Sequence, residues 1–283
     1  MAWPLDVVAQ CRPDPDGGEV ECPLDAPRWV GQFTSVSANA MIGGVTAGVM
    51  QHIRGGSFSR GFVKGMLGGG IVWAGKLVAA QRFSGAGLVG REVAAVGSSM
   101  VRNTGSGQSL LEELVLPVGP VRLYVRPGAR VRVIPKVDVL ASAWLAYGIV
   151  ESELDFDAGE SISSGAPVFR TDGKVLKFGS DSTHAAGLMN AGVIFVADVP
   201  AFGSDFTRRA LAHERVHVVQ GDQLFLWWTD PAEEWAVGKA PGADRVLRHV
   251  DFNLSTNLLE LLGRFFPEHG DRPWEMEAIF LTR

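Results

Sequence analysis

Cysteine and tyrosine are scarce in this sequence, and acidic residues are missing from a long stretch of it. The two cysteines, Cys11 and Cys22, both fall in CRPDPDGGEVEC near the N-terminus. Two thiols with no nearby histidine do not reach the about four ligands of a zinc finger. They suit a disulfide closing that short loop in an oxidising compartment, with two free thiols on a loose tail as the alternative. MAWPLDVVAQC lacks a basic region followed by a continuous apolar core, so no signal peptide is visible. That leaves a cytoplasmic chain or a mature form restarted with Met1, and an extracytoplasmic location is the slightly favoured expectation.

Positive charge is not in excess either. A net charge of −5 argues against a nucleic-acid binder, whose footprint is basic. GMLGGG and GSGQS join no evident strand to a helix and lack a following lysine, which leaves phosphate binding unsupported. No G-x-S-x-G occurs, so a serine nucleophile is unsupported as well. The 283 residues are 46% apolar and 20% charged, the profile of a folded chain with one large domain or two modest ones.

Composition divides the chain into zones. Residues 1–30 read as a flexible segment whose first 26 positions carry six acids and one arginine. Residues 31–113 read as a glycine-rich helical region. Here ANAMIGGVTAGVMQHIR, FSRGFVKGMLGGGIVWAGKLVAAQR and AGLVGREVAAVGSSMVRN are each long enough for a helix. Glycine costs a helix about 1 kcal/mol relative to alanine, so these segments need a packing reason. Gly44 and Gly48, and Gly61, Gly65 and Gly69, recur every four residues, which presents flat faces that let backbones approach. Between Lys64 and Lys76 only eleven uncharged residues lie, too few for the about 20 of a membrane span. A tightly packed helical hairpin is the expectation, with membrane contact through residues 38–103 as the alternative.

Residues 114–202 read as an antiparallel β region. VRLYVRP and ARVRVIP alternate apolar residues with arginine, and Asp172-Gly173 in PVFRTDGKVLKF signals a hairpin. Arg122, Arg126, Arg130 and Arg132 are expected on a solvated sheet face. In the last zone, 203–283, SDFTRRALAHERVHVVQGD reads as a helix capped by Ser204 or Asp205 and stopped by Gly221. LFLWWTDPAEEWAVG reads as an apolar wall or a lid, and DFNLSTNLLELLGRFF as a leucine-cored helix. GDRPWEMEAIF opens a further helix, with Pro273 in its first turn.

LAHERVHVVQ carries the chemistry. On a helix, His213 and His217 project from one face a turn apart, so both imidazoles can reach one ion. Glu214, rotated by one residue, can instead take a proton from a metal-activated water and deliver it to the leaving group. An accidental H-E-x-x-H in this chain has a probability of about 1% from its own composition. The competing reading is two solvated surface histidines. A third protein ligand is required. The candidates are His249, His269, Glu268, Glu275, Glu277, Asp251 and Asp271.

HERVHVVQ followed by RPWEMEA resembles the gluzincin-type zincin metallopeptidases, in which a glutamate on a later helix completes the H-E-x-x-H site. Its H-E-x-x-H-V-x-Q core is similar to bacterial domains of secreted toxins and injection-system proteins. The resemblance covers roughly residues 203–283. It implies His213 and His217 as Zn2+ ligands, Glu214 as general base, and Glu275 as third ligand with Glu277 as the alternative. Many zincins have uncharged residues where Arg215 stands, so its guanidinium must reach solvent or pair with an acid. His249, Arg245 and Arg248 are candidate transition-state donors.

The expectation is therefore an α+β zinc metallopeptidase acting on a peptide or protein substrate, with glycine-rich N-terminal helices, a central antiparallel β zone and a C-terminal zincin-like part. The alternative is a non-catalytic scaffold protein with a structural or degenerate metal site.

Overall fold

Glycine sets the architecture of the first hundred residues. A computed structural model describes residues 28–128, 131–172, 187–198, 203–237, 243–253, 265 and 272–282. Three helices, α1 (Arg28–Ile53), α2 (Phe58–Ala79) and α3 (Ala86–Gly105), pack side by side. They meet where side chains are absent. A Cβ added at Gly43 or Gly65 would strike the facing helix's backbone, and the pairs Gly68–Gly97 and Gly75–Gly90 join α2 to α3 the same way. The backbone contact offsets the low helix propensity of glycine. Ser57 caps α2, its Oγ accepting the Arg60 N–H at 3.4 Å.

The remaining chain forms two small sheets and further helices. The first sheet runs β1 (Leu114–Val118), β2 (Val121–Arg126), β3 (Arg132–Asp138) and β8 (Val250–Asp251), in that order. The second, in the order β4-β5-β7-β6, contains β4 (Asp155–Phe156), β5 (Val168–Asp172), β6 (Gly187–Asn190) and β7 (Val193–Asp198). The α+β expectation is met, but the sheets are mixed: β3 with β8 and β5 with β7 are parallel. The second arm of the Asp172-Gly173 hairpin lies outside the described residues. So do the Cys11–Cys22 pair, Arg130, Glu268, His269, Asp271 and the leucine helix.

Two helices interrupt the β region, α4 (Val139–Val150) and α5 (Ala158–Ser164). VLASAWLAYGIV is apolar on every side and so carries no helical period to read. It is started by Asp138, whose Oδ1 accepts the Ala141 N–H at 2.9 Å. Trp144 and Tyr147 then meet Phe195 of β7 edge-on.

The arginine strand is reversed relative to expectation. Along β2 it is Arg122 and Tyr124 that are buried, while Val121, Leu123 and Val125 are only half-buried. Four buried aspartates supply the reason. The Arg122 Nη2 lies 2.7 Å from Asp138 and 3.6 Å from Asp222, and its Nη1 lies 3.6 Å from Asp251. Its guanidinium also stacks on Phe225, 3.8 Å from the ring centre. The Tyr124 hydroxyl donates to Asp230 at 2.8 Å. Arg126 pairs with Glu113, and Arg132 is exposed.

Helix α6 (Gly203–Leu224) runs through the middle of the molecule against α2, α3, β6 and β7. Gly221 does not stop it. The helix continues three residues further, widens into a π-turn at Phe225–Thr229, and leads into α7 (Asp230–Val237). Burial of Phe225, Leu226 and Trp227 holds this continuation in place, which makes that part of LFLWW a wall. Short α8 (Ala243–Leu247) and β8 follow, and α9 (Pro273–Thr282) begins at Pro273 and packs on α6 and α1.

Candidate metal centre

Every residue from Leu211 to Gln220 is buried, so the two histidines are not a solvated stripe. His213 and His217 lie one turn apart on α6, their rings 4.5 Å apart and nearly perpendicular. The Nε2 atoms stand 2.9 Å from each other. Glu275, in the first turn of α9, brings its Oε2 to 3.2 Å from the His213 Nε2 and 3.0 Å from the His217 Nε2. All three side chains are buried, and among the described residues this is the group of His, Cys, Asp and Glu able to hold a metal ion.

The donor set fits such an ion. Tetrahedral zinc with bonds of about 2.0–2.2 Å places its ligand atoms about 3.3 Å apart, within a few tenths of an ångström of these separations. Without a cation, three lone-pair-bearing atoms so close together must share protons. Burial alone would lower the His217 pKa. The charge of Glu275, its hydrogen bond, the charge of Glu214 and the bond to Gln220 outweigh that and raise it to about 9. The group is thus a cation trap that holds a proton where a metal ion would sit.

Behind His217 stands a hydrogen-bonded chain that the sequence does not announce. The His217 Nδ1–H donates to the Gln220 Oε1 at 2.7 Å, which turns the Nε2 toward Glu275 and makes it the atom that would be free for a metal ion once its proton is displaced. Gln220 in turn donates to the Trp274 carbonyl at 3.0 Å and the Glu277 Oε2 at 2.9 Å. Glu277 also receives Lys76 at 2.7 Å, Ser35 at 2.7 Å and Asn39. Of the two glutamates left open by the sequence, Glu275 joins the histidines, and Glu277 is held one layer behind them. Lys76 was the visible clue to this layer, since a lone charge in an apolar helical run needs a partner once buried.

Glu214 is buried beside this group, close enough for its charge to act on His217. Arg215 does not reach solvent. Its guanidinium is buried and pairs with Glu160 of α5, and it donates to the Ser164 Oγ at 3.0 Å and the Ser163 Oγ at 3.2 Å. It ties α6 to α5 on the side away from the histidine pair, because it stands two residues from each histidine, about 200° around the helix. His249, Arg245 and Arg248 are exposed on α8 and the turn after it, where the His249 carbonyl accepts the Val137 N–H at 2.9 Å. Asp251 pairs with Lys136 at 3.1 Å. The metal-capable group contains neither His249 nor Asp251.

Searches of protein-family models, curated proteins and solved structures return no match to the chain.

Proposed function

We propose that the protein is a zinc-dependent metallopeptidase that hydrolyses peptide bonds in a peptide or protein substrate. The carrying observation is the convergence of His213, His217 and Glu275 from two helices, with Glu214 placed between the histidines in sequence. Two imidazoles and one carboxylate are a donor set suited to zinc, and three protein ligands are the number of an open catalytic site. The likeness of HERVHVVQ and RPWEMEA to the gluzincin pattern supports the same assignment.

His213, His217 and Glu275 would hold the ion. Bound there, zinc supplies Lewis acidity to a carbonyl and lowers the pKa of water. Glu214 takes a proton on its carboxylate from the attacking water and returns it to the leaving amine. Gln220 keeps the His217 ring in the tautomer that offers Nε2. Buried walls around the group raise the strength of each electrostatic contact.

Metal analysis and a peptide-library assay test this together. The purified chain should retain one zinc and cleave peptides. Glu214→Gln should keep the zinc and lose about 10²–10⁴-fold in rate, the typical contribution of a general base. A chain that takes up no zinc sinks the reading, and hydrolysis that survives Glu214→Gln sinks the mechanism. A fourth protein ligand seen by X-ray absorption would make the site structural and favour a scaffold.

A further inference from the structure

Residues 52–60, which form the turn of the α1–α2 hairpin and the helix ends on either side of it, are all exposed, with the end of α3 packed one turn away beside Met50. The helices turn their glycine faces toward each other: Gly43, Gly44 and Gly48 on α1, Gly61, Gly65 and Gly69 on α2. The apolar residues left exposed therefore lie on the outer sides of both helices. On α1 these include Val45, Val49 and Ile53, spaced four apart, and on α2 Val63 and Leu67, again four apart. Ile53 is 78% and Val63 67% exposed, at the end where the two helices join.

Charge on the hairpin itself has one sign. Arg54 and Arg60 are exposed and Lys64 is half-buried, and neither helix contains an aspartate or glutamate. Arg60 and Lys64 fall on the same side of α2 as Val63 and Leu67. The opposite half of α2 differs. Val72, Gly75, Lys76 and Ala79 are buried, and Lys76 is paired with Glu277. By length and composition helix α2 could cross a membrane, contrary to the reading from the Lys64–Lys76 gap, but the Lys76–Glu277 pairing anchors its second half in the protein.

We infer that the tip of the α1–α2 hairpin docks on an anionic lipid surface, with Ile53 and Val63 at the headgroup–acyl boundary and Arg54, Arg60 and Lys64 on lipid phosphates. Exposed apolar residues on both helices, each followed directly by a basic one (Ile53-Arg54 and Val63-Lys64), give an anionic lipid surface both its contacts, acyl chain and phosphate. A second copy would bring the same basic residues to a two-fold contact, where like charges oppose each other. An interface of apolar side chains rimmed by lysine and arginine matches the chemistry of an anionic membrane surface. The inference is independent of the metal site.

Vesicle flotation of the full chain tests it, using phosphatidylcholine alone or mixed with phosphatidylglycerol. The chain should float with the anionic vesicles, and less so as salt rises. Each basic residue contributes about fivefold, so Arg54→Gln/Arg60→Gln/Lys64→Gln should weaken binding about a hundredfold. Ile53→Ser/Val63→Ser, at exposed positions where folding is spared, should weaken it while leaving the circular dichroism spectrum unchanged. Equal binding to neutral vesicles, or none to either, overturns the inference. So does self-association in light scattering that the same variants abolish, since that assigns the tip to a second copy.

Discussion

His217 and Gln220 share a hydrogen bond of 2.7 Å between the ring Nδ1 and the amide Oε1, and through it the metal-capable group is tied to a buried lysine on another helix. Gln220→Ala should leave the fold intact and weaken zinc binding about 10–100-fold in chelator competition, the usual loss when such a support is removed. Gln220→Glu should not restore it, because the new carboxylate would face Glu277. Combining it with Glu277→Gln should recover part of the affinity.

Breaking the Lys76–Glu277 pair should be costly. Lys76→Met leaves a buried carboxylate without its cation, and urea denaturation should show a loss of about 3–5 kcal/mol. Burial alone would raise the Glu277 pKa, but Lys76 and the hydrogen bonds from Lys76, Gln220 and Ser35 hold it below the ordinary 4.5. The folded value lies below the unfolded one, so this contribution is in place above about pH 4.5 and disappears as pH falls through the folded value. The double variant Lys76→Met/Glu277→Gln should lose that part of the acid slope.

Glu92 and Glu233 should act in the opposite direction. Burial raises each to about 7; for Glu233 the charges of Asp251 and Asp230 add to it, and for Glu92 Asp222 adds while Arg91 opposes. Folded values above the unfolded ones make stability fall as pH rises from about 4.5 to 7. Glu233→Gln should flatten that fall in thermal melts taken across the range.

Zinc uptake should release a proton. With the His217 pKa at about 9, the metal-free site is protonated at neutral pH. The ion must displace that proton to reach the Nε2 lone pair. Calorimetry at pH 7.5 in buffers of different ionisation enthalpy should show about one proton released per zinc. No buffer dependence would contradict a proton held in the metal-free group.

Arg215 predicts a stability effect without loss of the metal. Arg215→Met leaves Glu160 unpaired, but Glu160 is one-fifth exposed and regains some water. A loss of about 2–3 kcal/mol in urea denaturation is expected, below the full range for a buried pair. Zinc affinity should change little, because Arg215 faces α5 rather than Glu275.

The N-terminal helices were legible because apolar length and glycine spacing are local properties; α2 and α3 fall where those patterns place them, while α1 begins at Arg28, ten residues before ANAMIGG and inside the stretch read as flexible. Helix α4 was not legible, since a uniformly apolar segment has no period to distinguish helix from buried strand. For β2, alternation showed the strand but not its inner face. Arginine reads as outward until the aspartates from distant elements that neutralise Arg122 are known. Gly221 failed as a stop because the burial of Phe225 and Trp227 outweighs one glycine's cost.

By itself the sequence determined that His213, Glu214 and His217 share one helix, because four-residue spacing is a property of the helix alone. It also determined that a glutamate in RPWEMEA was a candidate partner. Only the tertiary structure decided between Glu275 and Glu277. Two residues apart on α9 they point in different directions, and it is the approach of α9 to α6 on one side and to Ser35, Asn39 and Lys76 on the other that gives each its partners. Distance along the chain carries no information about that approach; the packing of four helices does.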